Sequence, residues 1–184
     1  SYRLAERYGH PELAMVSKKQ EFPGYEPRGA QAMGLAYATS DRGACHLRAT
    51  FYKPELTGMI PPDQIEEKAQ LFVDFEDRLT IFDTFIFCRF YRDLYLWDDL
   101  IEILQAVTGI KADEKALRNK AADISTLVRR FNIREGLKTE DDWLPKRLFQ
   151  KMEKTGNVIK AEELEHMIKE YYQIRGWNEM GIPE

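Results

Sequence analysis

The sequence predicts a mostly α-helical protein, an irregular multi-helix bundle with long loops, and three observations carry that expectation. Apolar residues recur at three- and four-residue spacing over several stretches. Gly109 and Gly136 stand where two of those patterns stop. Pro and Gly gather between the patterns, as in "EFPGYEPRG" (21–29), where the chain must turn. At 184 residues, the chain fits one domain or a compact part of a larger protein, with one substantial core.

From the N-terminus, "AMVSKKQEF" (14–22) reads as a short strand or extended segment. "AQAMGLAYATSDRG" (30–43) has helical spacing, with Met33, Tyr37 and Leu35 turned inward and Gly43 placed as a left-handed cap. Its small residues, Ala30, Ala32, Gly34, Ala36 and Ala38, permit close approach by a neighbouring backbone or a flat ligand. "YKPELTGMIPPDQ" (52–64) reads as a connector, with Asp63 or a near neighbour capping the next helix. From Gln64 a helix carries Ile65, Leu71 or Phe72, Phe75, Leu79 and Phe82 inward, with a break expected near Asp83. "WDDLIEILQAVTG" (97–109) turns Leu100, Ile103, Leu104 and Val107 to one face. Asp113 opens a helix carrying Leu117, Ala121, Ile124, Leu127 or Val128, and Phe131, which Gly136 ends. A last helix from near Ala161 carries Leu164, Met167, Ile168, Tyr171 and Tyr172, and Trp177 and Ile182 are expected to dock behind it.

Composition excludes several functions. A net charge of -4 leaves no basic footprint for nucleic acid. No apolar stretch approaches the roughly 20 residues that span a bilayer, and "SYRLAERYGH" (1–10) lacks a secretory core. The chain starts without Met and is read as an excised piece. Two cysteines make no disulfide framework, although one Cys45–Cys88 bridge stays open; a reducing cytoplasm is the expected compartment. Paired metal-ligand spacing, a phosphate loop, a dinucleotide fingerprint and a nucleophile elbow are all missing.

Two constellations remain. In "TIFDTFIFCRF" (80–90), Cys88 is either a packed core thiol or a thiolate ligand. Asp83 either caps a helix beginning at Thr84 or accepts hydrogen bonds from a ligand. In "SDRGACHLRA" (40–49), His46 lies between Arg42 and Arg48, which favour its neutral form. It is either a satisfied structural histidine or a proton carrier. Adjacent Cys45 and His46 point apart and make a poor dyad, and His10 and His166 read as surface residues.

Four ordered segments resemble the tungsten-dependent aldehyde:ferredoxin oxidoreductases. "PGYEPRGAQAMGLAYATSDRGACHLRA" (23–49) looks like the start of that family's C-terminal domain, and "DTFIFC" (83–88) is similar to its second Asp-x-x-Gly-Leu-Cys motif. "FNIREGLKTEDDWLPKR" (131–147) and "YYQIRGWNEMGIP" (171–183) resemble its last segments. The resemblance implies that 1–184 is the C-terminal α-helical domain, with the N-terminal cofactor-binding domain and the first helical domain absent. It implies a tungsten held by two pterins beside a [4Fe-4S] cluster, and aldehyde oxidation to carboxylic acid with ferredoxin as acceptor. Asp83 would then hydrogen-bond one pterin, helped by backbone near Phe87. Cys88 would be the fourth cluster ligand, and His46 would lie near tungsten and substrate as the catalytic residue. Partners are the remaining domains, ferredoxin and the aldehyde, with no nucleic acid and no membrane. Ile86 and Phe87 replace the motif's glycine and leucine, which bears on backbone approach to the pterin. One thiolate cannot hold a cluster needing four ligands, so the isolated chain is expected to hold no cofactor, to be inactive, and to self-associate through its uncovered face. The alternatives are a relative with another substrate, such as aromatic acyl-CoA reduction, and a non-catalytic helical assembly module.

Overall fold

A computed structural model describes residues 1–184. It holds seven α-helices and one two-stranded hairpin, so the helical expectation is met. Helix α1 (Tyr2–Arg7) opens the chain, where no element was expected. Strands β1 (Val16–Ser17) and β2 (Gln20–Glu21) pair antiparallel, Val16 opposite Glu21, inside the segment read as extended.

Helix α2 (Gln31–Thr39) is buried on every side from Ala32 to Thr39, and forms the centre of a 23-residue apolar cluster. Its small residues admit side chains and not a flat ligand: a Cβ on Gly34 would lie 3.3 Å from Ile159 Cδ1. Gly43 does not cap this helix, which ends at Thr39 with Ser40 behind it. It sits instead where the chain crosses the hairpin, with a would-be Cβ only 2.2 Å from the Ser17 carbonyl oxygen and φ at +98°. No side chain fits there.

The expected connector contains a short helix, α3 (Tyr52–Leu56), in which Glu55 is buried. Glu55 Oε1 accepts from the Ala32 N–H (3.0 Å) at the start of α2, and from Lys68 Nζ (2.6 Å). Lys68 also donates to the Pro62 carbonyl (2.8 Å), so residues 62–67 fold in turns around a buried ammonium. For that reason α4 (Lys68–Thr84) starts later than Gln64, and Asp63 does not cap it.

Helix α4 packs against α6 (Glu114–Arg134) and α7 (Ala161–Ile174). Arg175, just past α7, reaches Asp77 (2.6 Å) and Glu76 (2.5 Å) on α4, and the Tyr171 hydroxyl donates to Glu76 (2.9 Å). These buried pairs orient α4 and therefore its far end, where Asp83 lies. Helix α5 (Trp97–Thr108) ends at Gly109 as expected, and the Asp113 carboxylate caps α6 through the Ala116 N–H (2.7 Å). Leu100 packs with Leu79, Ile81, Phe82, Leu117 and Ala121 in a second, smaller cluster under the end of α4. Val107, Leu127 and Phe131 are exposed despite their helical spacing. Trp177 docks as expected; the Ile182 side chain does not.

Candidate functional site

Helix α4 stops at a turn made by the motif itself. The Ile86 N–H donates to the Asp83 carbonyl and the Phe87 N–H to the Phe82 carbonyl, both at 3.0 Å. Ile86 has φ of +60°, and the Phe82 and Phe87 rings meet edge to face at 5.3 Å. This is the six-residue helix stop with an apolar clasp, whose left-handed position favours glycine. In this chain residue 86, where the resembled motif has glycine, terminates the helix, and a β-branched residue, 92% exposed, fills that position. A left-handed L-residue costs about 1–2 kcal/mol.

The helix breaks near Asp83 as expected, and the turn decides how the motif residues are placed. Asp83 lies in the last turn of α4 and caps no helix at Thr84. Beyond Asp83 the chain reverses at Ile86, and Cys88 opens a short 3-10 turn, Arg89–Tyr91. The Phe87 N–H is consumed by the helix stop, so of its backbone groups only the carbonyl is available to a ligand. Cys88 is exposed and free, not packed in a core, and the buried Cys45 is likewise unbridged.

Asp83 sits between two arginines to which residue spacing alone assigned no role. Arg89 Nε donates to Asp83 Oδ1 (2.9 Å), Arg89 Nη2 to Oδ2, and Arg48 Nη1 to Oδ2 (3.3 Å). These take three of the carboxylate's roughly four acceptor positions, leaving one for a ligand N–H. Asp83 opens onto a cavity of about 330 Å3 between α4 and α6, lined by Arg48, Thr80, Thr84, Asn132 and other mostly polar groups. Its lining offers both hydrogen-bond donors and acceptors. The one sequence signal for Arg89 was a charged residue inside an apolar run.

His46 lies on the irregular loop between α2 and α3, which is pinned from both flanks. Asn132 Nδ2 donates to the Asp41 carbonyl (2.7 Å), Gln20 Nε2 to the Ala44 carbonyl (3.2 Å), and Asp41 pairs with Arg48 (2.8 Å). The imidazole is half-buried over Tyr25 (ring centroids 5.4 Å apart), which in turn stacks on Tyr52 (4.3 Å, 12°). Burial and the Arg42 guanidinium hold the His46 pKa below its ordinary value. The neutral form expected from the flanking arginines is therefore favoured, with burial the larger cause. His10 and His166 are exposed. His46 and Cys88 do not line the Asp83 cavity.

No group of three or more His, Cys, Asp or Glu is placed to hold a metal ion. The chain supplies one accessible thiol, chemically suited to be one ligand of a cluster completed elsewhere.

Residues 1–184 match the family profile described as "Aldehyde ferredoxin oxidoreductase, domains 2 & 3". The chain belongs to the aldehyde ferredoxin oxidoreductase family. It is 38% identical to the tungsten-containing aldehyde ferredoxin oxidoreductase of Pyrococcus furiosus, over 100% of this chain and 32% of that protein. The Thermococcus kodakarensis protein of the same name is 37% identical over 98% of the chain and 31% of its own length. The chain thus spans about a third of these family members. Among solved structures, the BamBC active-site complex of benzoyl coenzyme A reductase with 1,5-dienoyl-CoA has the same fold (TM-score 0.55, 21% identity, 99% of this chain, 28% of that one). No helix of this family member is long and apolar enough to cross a membrane.

Proposed function

We propose that residues 1–184 form the C-terminal helical domain of a tungsten-containing oxidoreductase that converts aldehydes to carboxylic acids and passes electrons to ferredoxin. The observation that carries this reading is the helix stop at Ile86. It turns Asp83 to a polar cavity and leaves Cys88 exposed beyond the same turn, so one short segment can serve two different groups. Identity of 36–38% to relatives named as aldehyde enzymes, against 21% to the benzoyl coenzyme A reductase complex, favours the aldehyde over an aromatic acyl-CoA.

When bound, a tungstopterin and a [4Fe-4S] cluster supply the oxygen- and electron-transfer chemistry. Asp83 would accept an N–H of the pterin at its remaining acceptor position, its carboxylate oriented by the hydrogen bonds from Arg48 and Arg89. Cys88 would give one thiolate to the cluster, and the remaining domains would have to supply the other three. Water and aldehyde yield acid, two electrons and two protons. His46, favoured neutral, would take one of those protons on a ring nitrogen, and the other would pass to water. Exposed Ile86, Phe90, Leu94 and Leu96, flanking Cys88, belong to the face that the remaining domains cover. In the isolated chain the same face favours self-association.

In the full-length enzyme, Cys88→Ser should lower iron content and change the cluster's electron paramagnetic resonance (EPR) signal, whereas His46→Ala should keep both cofactors and lose turnover. A Cys88→Ser enzyme with an unaltered four-iron signal would overturn the ligand assignment. Normal turnover in His46→Ala would remove the catalytic one.

A further inference from the structure

We propose that Arg89 is the positioning residue that holds His46, Asp83 and Cys88 in one register, an inference that rests on the proposed function of the site. Arg89 directly follows Cys88, yet its side chain is only 16% exposed while its neighbours Cys88 and Phe90 lie open to solvent. One edge of its guanidinium grips both oxygens of Asp83. The opposite nitrogen, Nη1, donates to the carbonyls of Leu47 and Arg48 (3.3 Å to the latter), next to His46. A single side chain therefore ties the end of α4 to the loop that carries the histidine, across more than forty residues of sequence.

A second path closes the ring. The Arg89 carbonyl accepts from Arg92 Nη1 (2.9 Å), and Arg92 Nη2 donates to the Tyr52 hydroxyl (3.3 Å). Tyr52 stacks on Tyr25, and Tyr25 lies against the His46 ring. The Arg89 side chain thus holds the backbone of the two residues after His46, and the Arg89 main chain reaches the His46 ring through Arg92, Tyr52 and Tyr25. The planar fork is essential, because it must address a carboxylate on one side and two carbonyls on the other. A lysine ammonium offers one nitrogen and cannot span both. An ordinary half-exposed ion pair, by contrast, would tolerate Lys.

The test uses side-chain NMR of the 184-residue chain and EPR with kinetics of the full-length enzyme. In the chain, Asp83→Asn should shift the Arg89 Nε–H resonance, and Arg89→Lys and Arg89→Gln should both move the His46 ring signals. Lys169→Gln, which breaks a surface pair with Glu165 that touches none of these residues, should leave those ring signals in place. In the full-length enzyme, Arg89→Lys should lower kcat at least about tenfold with KM for the aldehyde changed less than about threefold, and should alter the cluster EPR line shape. Wild-type kcat and EPR in Arg89→Lys, with the signal changed in Cys88→Ser, would overturn the role of Arg89 and leave the proposed function standing. An unchanged signal in Cys88→Ser would instead overturn the proposed function of the site. Should the full-length Arg89 variants fail to fold, the chain decides: unmoved His46 signals overturn the proposal.

Discussion

Helices α4, α6 and α7 end in the same hydrogen-bonded turn, but only α4 makes it without glycine. At α6, Gly136 donates to Ile133 (3.0 Å) and Leu137 to Asn132 (2.9 Å); at α7, Gly176 donates to Gln173 (3.0 Å) and Trp177 to Tyr172 (2.9 Å). At α4 the equivalent donors are Ile86 and Phe87. The left-handed residue has φ of +102° and +70° at the glycines and +60° at Ile86. Two main-chain hydrogen bonds and an apolar clasp therefore enforce the turn even when the residue resists it. What glycine changes is the energy stored there. The chain beyond the turn also differs: Trp177 after α7 is 8% exposed against Tyr171 and Tyr172, whereas the segment after Ile86 runs out to exposed Cys88 and Phe90.

Exchanging the residues separates the turn from its surroundings. Gly176→Val should have the largest effect, a loss of about 2 kcal/mol and a Tm lower by roughly 6 °C. A Cβ at Gly176 meets nothing within 4 Å, so the cost is in the backbone. Relaxing it would pull Trp177 from its place on Tyr171, so little of it can be relieved. Thermal melting checks this, and an unchanged Tm would show that the left-handed angle at Gly176 is not required. The reverse exchange, Ile86→Gly, should raise stability by about 1 kcal/mol and Tm by roughly 3 °C. The exposed Ile86 side chain forfeits almost no packing, and the added freedom of glycine in the unfolded chain offsets part of the gain. A destabilised Ile86→Gly chain would mean that Ile86 makes a contact its exposure hides.

The same contrast explains what was legible beforehand. Helices α5, α6 and α7 bury one face, and their starts and stops lie within a few residues of where spacing, Asp113, Gly109 and Gly136 put them. Helix α2 is buried all round, so spacing said little about its packing partners, and Gly43 looked like its cap while serving a backbone crossing. Helix α3 hides behind Pro54 in a stretch that reads as connector, and a buried lysine delays α4. For the site, His46, Asp83 and Cys88 were picked out by residue type and by resemblance to known motifs, and their roles rest on that resemblance. Their tie through Arg89 could not be read, because Leu47 and Arg89 come together only through the packing of the end of α4 against the 41–49 loop.

The smallest expected effect asks whether the strained turn and the proposed proton carrier share energy. Burial and Arg42 lower the His46 pKa in the folded chain, while the unfolded chain titrates near the ordinary value of about 6.5. Between those two values the unfolded chain binds a proton that the fold refuses. Stability should therefore fall as pH drops from about 7 through the folded pKa, and this contribution should be fully present above that window. NMR titration of the imidazole should give a midpoint below the ordinary value, and Arg42→Gln should move it upward by removing the lesser of the two causes. Ile86→Gly should leave the midpoint where it is, since it changes neither the burial of His46 nor the charge beside it. A midpoint that moved with Ile86→Gly would show strain at the end of α4 being transmitted to the histidine loop, with the clasp of Arg89 on Leu47 as the contact that carries it.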